Sequence, residues 1–179
     1  MIAKHYVSPC SPHLTLALLA TMSVACAQAS FTTFGSSCTP GQAISALNLP
    51  RLGQTFRVAY AGLQGNTFVG MLGQNAVPFL SIGLSNTQAG GTPLPYTLPL
   101  WATNGLANCQ LYVSPDATVR LRLGGPPPLT VDLALPASQA LVGLPLHLQW
   151  FTLVDRTRMG VLTAREVMLS NAATAVLGT

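Results

Sequence analysis

Residues 145–155 read Pro-Leu-His-Leu-Gln-Trp-Phe-Thr-Leu-Val-Asp, and this stretch decides the fold class. Side chains alternate across an extended chain. Leu146, Leu148, Trp150, Thr152 and Val154 therefore share one face, and His147, Gln149, Phe151, Leu153 and Asp155 share the other. After Gln149 both faces are largely apolar, which marks a central strand covered on both sides. No window of the chain carries a sustained 3.6-residue apolar period with helix caps.

Working outward, residues 137–141 predict one helical turn before Gly143, residues 155–159 a turn, and residues 167–169 and 175–177 the last strands. Ser170-Asn171 is read as the break between those strands. Upstream, Phe56, Val58 and Tyr60 alternate with Arg57 and Ala59. Residues 68–72 and 79–84 are short apolar runs, with a turn expected at Gly73-Gln74-Asn75. Residues 85–95 form a loop rich in Gly and Pro. Residues 96–101 read as an edge strand, because Pro99 cannot donate to a ladder. Residues 110–113 form a further strand that stops at Ser114-Pro115-Asp116. Residues 118–123 and 129–135 predict a hairpin across the loop 124–128, and a symmetric loop places Arg120 opposite Asp132 as a solvated pair. Many short strands at this spacing predict an all-β fold, an antiparallel sandwich of jelly-roll or immunoglobulin-like type with about 8–10 strands.

The first residues have the three parts of a secretory signal. They are the charged Lys4, an apolar run over residues 14–24, and Ala27-Gln28-Ala29 with small residues at the expected cleavage positions. Residues 1–29 are thus expected to be removed, leaving residues 30–179 as a single domain at the cell surface or outside the cell. The apolar run is shorter than the roughly 20 residues needed to span a bilayer. Lipoprotein processing at Cys26 is the alternative, although Ser23 stands where a large aliphatic residue is expected. A membrane barrel is disfavoured by the few aromatics and the many prolines.

Cys10 and Cys26 lie in the leader, so Cys38 and Cys109 remain as an even pair in an exported chain and are expected to form a disulfide. Closing a loop of roughly 70 residues stabilises by about 4 kcal/mol in the chain-entropy model. The whole chain carries a net charge of +4, and the mature part has seven arginines against four acids, a net +3. This is a sparse surface without the clustered bases of a nucleic-acid binder. Two cysteines and the single mature histidine, His147, do not make a zinc site. The acids Asp116, Asp132, Asp155 and Glu166 are too scattered for calcium, so no metal or cofactor is expected.

Catalysis finds little support in these residues. His147 has no nucleophile-elbow serine to serve, and each acid has a local structural explanation, Asp116 as a turn residue and Asp132 beside Arg120. A hydrolase of unrecognised type is therefore the weakest reading. A non-catalytic surface, matrix or adhesion module is the leading expectation, with another surface protein or a polysaccharide as partner. A carbohydrate-binding module is the alternative. It would use Tyr96, Trp101 and Tyr112, which fall in or near loops and edges, with Asn104, Asn108 and Gln110 adding hydrogen bonds. That reading requires Trp101 and Tyr96 to be exposed side by side, whereas packing of Trp101 under the Pro-rich loop would remove it.

Several short stretches carry a resemblance: Leu49-Pro50-Arg51-Leu52-Gly53, Asn108-Cys109-Gln110-Leu111-Tyr112-Val113-Ser114-Pro115-Asp116, Leu141-Val142-Gly143-Leu144, the strand from Gln149 to Asp155, and Leu169-Ser170-Asn171-Ala172. With these the chain resembles a group of uncharacterised exported domains common in planctomycete-type bacteria. The resemblance implies a secreted β-domain and carries over no activity or binding residue. Arg156-Thr157-Arg158 departs from the group's small residues at that place. Non-reducing peptide mapping of the exported protein should recover Cys38 and Cys109 in one linked peptide pair. Alkylation of both thiols without reduction would overturn the bridge.

Overall fold

The computed structural model describes residues 28–38, 41–61, 74–103, 106, 108–121, 129–158 and 161–179. Residues 1–27 of the expected leader, the run at 68–72, the loop 124–128 and Asn104 lie outside them. Twelve strands are found among the described residues: β1 (Ser30–Phe34), β2 (Ala43–Ala46), β3 (Thr55–Ala61), β4 (Gln74–Gly83), β5 (Gln88–Ala89), β6 (Thr92–Pro93), β7 (Tyr96–Thr97), β8 (Gln110–Leu111), β9 (Ala117–Arg120), β10 (Leu129–Ala134), β11 (Pro145–Arg158) and β12 (Val161–Val176). A 3₁₀ turn at Gln139–Leu141 matches the expected helical turn. The strands exceed the expected eight to ten because β5 to β8 are two-residue pieces inside one long connection.

Five strands form one antiparallel sheet in the order β1-β12-β11-β4-β9, and three form a second in the order β10-β3-β2. The two sheets face each other across a shared core, so the fold is an antiparallel β-sandwich. Strand β11 lies between β12 and β4. Its face bearing Leu148 and Trp150 meets Phe56, Val58 and Tyr60 of β3, Leu80 of β4, Val131 of β10 and Ala173 and Ala175 of β12. Trp150 and Phe56 are wholly buried and Tyr60 nearly so. Aromatic side chains with a polar end are stable in a core only when that end finds a partner. The Trp150 indole Nε1 donates to the Ala59 carbonyl at 3.2 Å. The Tyr60 hydroxyl pairs with that of Thr152 at 2.9 Å, and burial holds its pKa above the usual phenol value. The two rings pack at 5.2 Å between centroids.

Several sequence expectations are corrected. Ser170-Asn171 is not the end of a strand: Gln149 pairs with Ala172 and Phe151 with Leu169, so two residues of β12 oppose Trp150 alone. That two-against-one pairing is a β-bulge, and it shifts the alternation by one residue. Val167 and Leu169 lie across from the Phe151 side before it, and Ala172 and Thr174 across from the Gln149 side after it. The ladder therefore continues through a point where the pattern in the sequence is broken. Ser170 Oγ accepts from the Trp150 N–H at 3.0 Å, and Asn171 Oδ1 accepts from the Ile44 N–H of β2 at 3.0 Å.

Gln74 and Asn75 belong to β4 rather than to a turn, and β11 runs on to Arg158 instead of turning at 155. The hairpin at 118–135 does not form. Strand β9 pairs with β4, and β10 pairs with β3 in the other sheet. Asp132 therefore stands opposite Arg57, with Nε and Oδ1 3.3 Å apart, and Arg120 stands opposite Phe79.

Replacing one member of the buried hydroxyl pair should cost more than replacing both. Tyr60→Phe leaves the Thr152 hydroxyl without its partner and should destabilise by about 1–2 kcal/mol, as should Thr152→Val. The double variant, which strands neither hydroxyl, should lose less stability in urea denaturation than either single variant. Strictly additive losses would contradict the pairing.

Candidate functional site

Strands β4 and β9 are neighbours in the sheet, yet residues 84–116, with β5 to β8, intervene between them in the chain. Connections of this length inside a compact domain are commonly functional. This excursion folds back over the outer face of the five-stranded sheet, the face opposite the core, and it is tied down at many points. Cys109, fully buried, is bonded to Cys38, the pairing expected from the sequence. Gln149, also without solvent contact, projects from β11 into the excursion. Its Oε1 accepts from the Tyr112 N–H at 2.9 Å, and its Nε2 donates to the carbonyls of Gln110 and Ser170, both at 2.9 Å.

At the base of the excursion the Ser114 N–H donates to the Ser85 carbonyl at 2.9 Å, and the Ser85 N–H donates to Ser114 Oγ at 3.1 Å. Asp116 Oδ2 accepts from the Leu84 N–H at 2.8 Å and from the Ser114 hydroxyl at 2.9 Å. These two donors, the backbone one foremost, hold the Asp116 pKa below the usual carboxylate range. Its turn role is the one read from the sequence. The chains cross so closely here that a Cβ on Gly83 would lie 2.1 Å from the Ser114 carbonyl oxygen, which only glycine permits.

Three aromatics were candidate ligand contacts, and the structure separates them. Trp101 is 83% exposed, and its neighbour Leu100 is 60% exposed. The expected packing of Trp101 under the Pro-rich loop is therefore absent. The turn that carries Trp101 is nonetheless firmly held. The Ala102 N–H donates to the Pro99 carbonyl, the buried Thr103 hydroxyl donates to the Leu106 carbonyl at 2.9 Å, and the Val167 N–H of β12 donates to the Ala102 carbonyl at 2.8 Å. Tyr96 is 43% exposed.

Tyr112 is buried and is corrected as a candidate. Its ring packs edge-on to Phe34 and over Gly35, whose φ is +70°. Its hydroxyl donates to Gln110 Oε1 at 2.8 Å and accepts from the Ser36 N–H at 3.1 Å. Gln110 is engaged by this bond and by its Nε2 donating to Thr97 Oγ1 at 3.3 Å. Asn108 is exposed and occupies the left-handed region at φ 63°.

An open groove of about 460 Å³ runs along the excursion, lined by Ala89, Gly90, Thr92, Leu94, Tyr96, Leu111, Pro115 and Asp116. It combines one phenol ring, one aliphatic hydroxyl and one carboxylate with apolar side chains. Trp101 stands outside it. Thr92, Leu94 and Asp116 were not read from the sequence as lining a site, because pairing of β5 with β6 and of β7 with β8 is what brings them together. Gln149 carried a usable signal: an amide inside an apolar central strand has to find several partners once buried.

The remaining titratable groups lie apart from this groove. His147 is buried, with Nδ1 3.0 Å from Thr174 Oγ1, and burial lowers its pKa so that the ring is neutral at pH 7. Asp155 is held in a two-point pair by Arg165 at 2.6 and 3.2 Å, which lowers its pKa. Glu166 is buried on β12 opposite Val154. Among the described residues, no three of His, Cys, Asp and Glu gather in a way that could hold a metal ion.

The role of Gln149 is testable through the excursion it holds. Gln149→Leu keeps the volume but strands the Tyr112 N–H and two carbonyls, and should destabilise by at least about 3 kcal/mol. Amide exchange at Tyr112 should accelerate in parallel, and an unchanged unfolding free energy would contradict the clamp. Compared with known proteins, the chain matches no family model, no curated sequence and no solved structure.

Proposed function

We propose that the protein is a non-catalytic exported adhesion module that engages polysaccharide through the excursion. The observation that carries this reading is the exposure of Trp101 on a turn fixed to the sheet. Leaving an indole in water forgoes the roughly 1.5–3 kcal/mol that burying a large apolar side chain contributes. Exposed apolar patches of this kind mark contact surfaces. An indole held rigid loses little entropy on contact, and its flat face suits the C–H face of a sugar ring. In the groove of the same excursion, Tyr96 offers a second ring, and the Thr92 hydroxyl and Asp116 carboxylate offer partners for sugar hydroxyls.

Export is supported by the signal-like leader and by the Cys38–Cys109 disulfide, since such bridges persist in oxidising compartments. A non-catalytic role is supported by the structural employment of Asp116, Asp132 and Asp155, each bonded to a backbone donor or an arginine.

The processed chain, residues 30–179, should bind at least one member of a polysaccharide panel saturably. Trp101→Ala should weaken that binding at least tenfold with no change in Tm, because the indole contributes nothing to the core. Absence of binding to every polysaccharide would overturn the ligand class and direct the search to a protein partner.

A further inference from the structure

We propose that the groove along the excursion sets which polysaccharide is taken, selecting a sugar that carries a free ammonium group, as in a deacetylated amino-sugar polymer. The inference rests on the polysaccharide reading above and adds a charge preference to it. The groove holds about 460 Å³, within the roughly 300–1,000 Å³ of small-molecule sites. Pairing of β5 with β6 sets Thr92 on its wall, and pairing of β7 with β8 puts Tyr96 opposite Leu111. Among the described residues that line it, Asp116 alone is charged.

The surroundings of Asp116 point to a cation. Residues 30–179 hold seven arginines against four acids, so cations are in surplus. Asp132 and Asp155 are each paired with an arginine, and Glu166 is buried. Asp116 is exposed, and among the described residues no arginine pairs with it. Its two donors are neutral, the Leu84 N–H and the Ser114 hydroxyl, and both bond Oδ2. Oδ1 receives no hydrogen bond among the described residues and is left for a ligand. The same two donors keep the carboxyl ionised into the acid range where an amine is fully protonated.

Tyr96 supplies the second feature. Its ring is 43% exposed in the same groove, and the face of a phenol ring attracts a cation. A hydrogen bond from a charged donor to a carboxylate is about twice as strong as one between neutral groups. An ammonium therefore gains more here than the hydroxyl or acetamide of a neutral sugar. A calcium ion would need about 6–8 oxygens, and no group of acids gathers here to supply them.

Glucosamine and N-acetylglucosamine oligomers of equal length share the ring and its hydroxyls and differ in the ammonium, which makes them the probes. In calorimetric titration of the processed chain at low salt and mildly acidic pH, the glucosamine oligomer should bind about fivefold more tightly. The preference should shrink as salt screens the pair, and again as rising pH removes the proton from the amine. Asp116→Asn keeps an acceptor for the Leu84 N–H and the Ser114 hydroxyl but loses the charge, and should remove the preference. Tyr96→Leu, which leaves the turn at Asp116 untouched, should reduce it. Equal affinities in the unmodified chain, or a preference that survives Asp116→Asn, would overturn the selectivity while leaving Trp101-dependent polysaccharide binding standing. Poly-lysine binding as tightly as the glucosamine oligomer would overturn it in favour of a peptide partner. Failure of every polysaccharide to bind would overturn both readings together.

Discussion

The side-chain amide of Gln149 stands with no solvent contact at the middle of the central strand, and three backbone groups depend on it. Two belong to the excursion and one to the neighbouring strand β12. A buried amide with unmet hydrogen bonds is costly, whereas a satisfied one specifies a single arrangement. Gln149 thus sets how residues 84–116 lie on the sheet, and everything those residues display follows from that placement. The bulge at Ser170-Asn171 completes the arrangement. It offers the Ser170 carbonyl to Gln149, the Ser170 hydroxyl to the Trp150 N–H and the Asn171 side chain to the opposite sheet.

The central strand is consequently covered on both faces by different means. Toward the core, Leu148 and Trp150 meet the second sheet through apolar packing, with the few polar ends paired off. Toward the outside, Gln149 meets the excursion through hydrogen bonds, while Tyr112, Val113, Phe34 and Ala172 add a small apolar cluster. The disulfide joins these layers, tying the segment after β1 to the middle of the excursion. On the same outer face Phe79 and Phe151 stack with ring centroids 5.0 Å apart and are half-buried.

This arrangement explains how a loop can serve as a contact surface without being loose. Recognition residues commonly sit on loops positioned by a rigid scaffold. Here Trp101 and Leu100 project from a turn whose flanks are bonded to each other and to β12. The side chains that brace the excursion, Gln149, Tyr112, Ser114 and Thr103, are buried, and those that face solvent, Trp101, Tyr96 and Leu100, take no part in the core. Bracing and display are divided between different residues, so the exposed ones are free to be chosen for a ligand.

The sequence by itself determined the elements whose evidence is local. Alternation in residues 145–155 specified β11 and its two covered faces, Phe56, Val58 and Tyr60 specified the core side of β3, and Ser114-Pro115-Asp116 specified a turn. The pairing of Cys38 with Cys109 followed from the expected removal of Cys10 and Cys26 with the signal-like segment. Only the tertiary structure decided the long-range matters. Whether Asp132 meets Arg120 or Arg57 depends on which sheet β10 joins, and that is settled by packing across the sandwich. The Ser170-Asn171 bulge breaks the two-residue period, so a continuous strand reads as two. Tyr112 and Trp101 look alike in sequence, as aromatics two or three residues from a proline in a loop-rich stretch, yet one is buried and the other exposed. The burial of a loop residue is set by which chain folds over it, and no local pattern of apolar and polar residues encodes that.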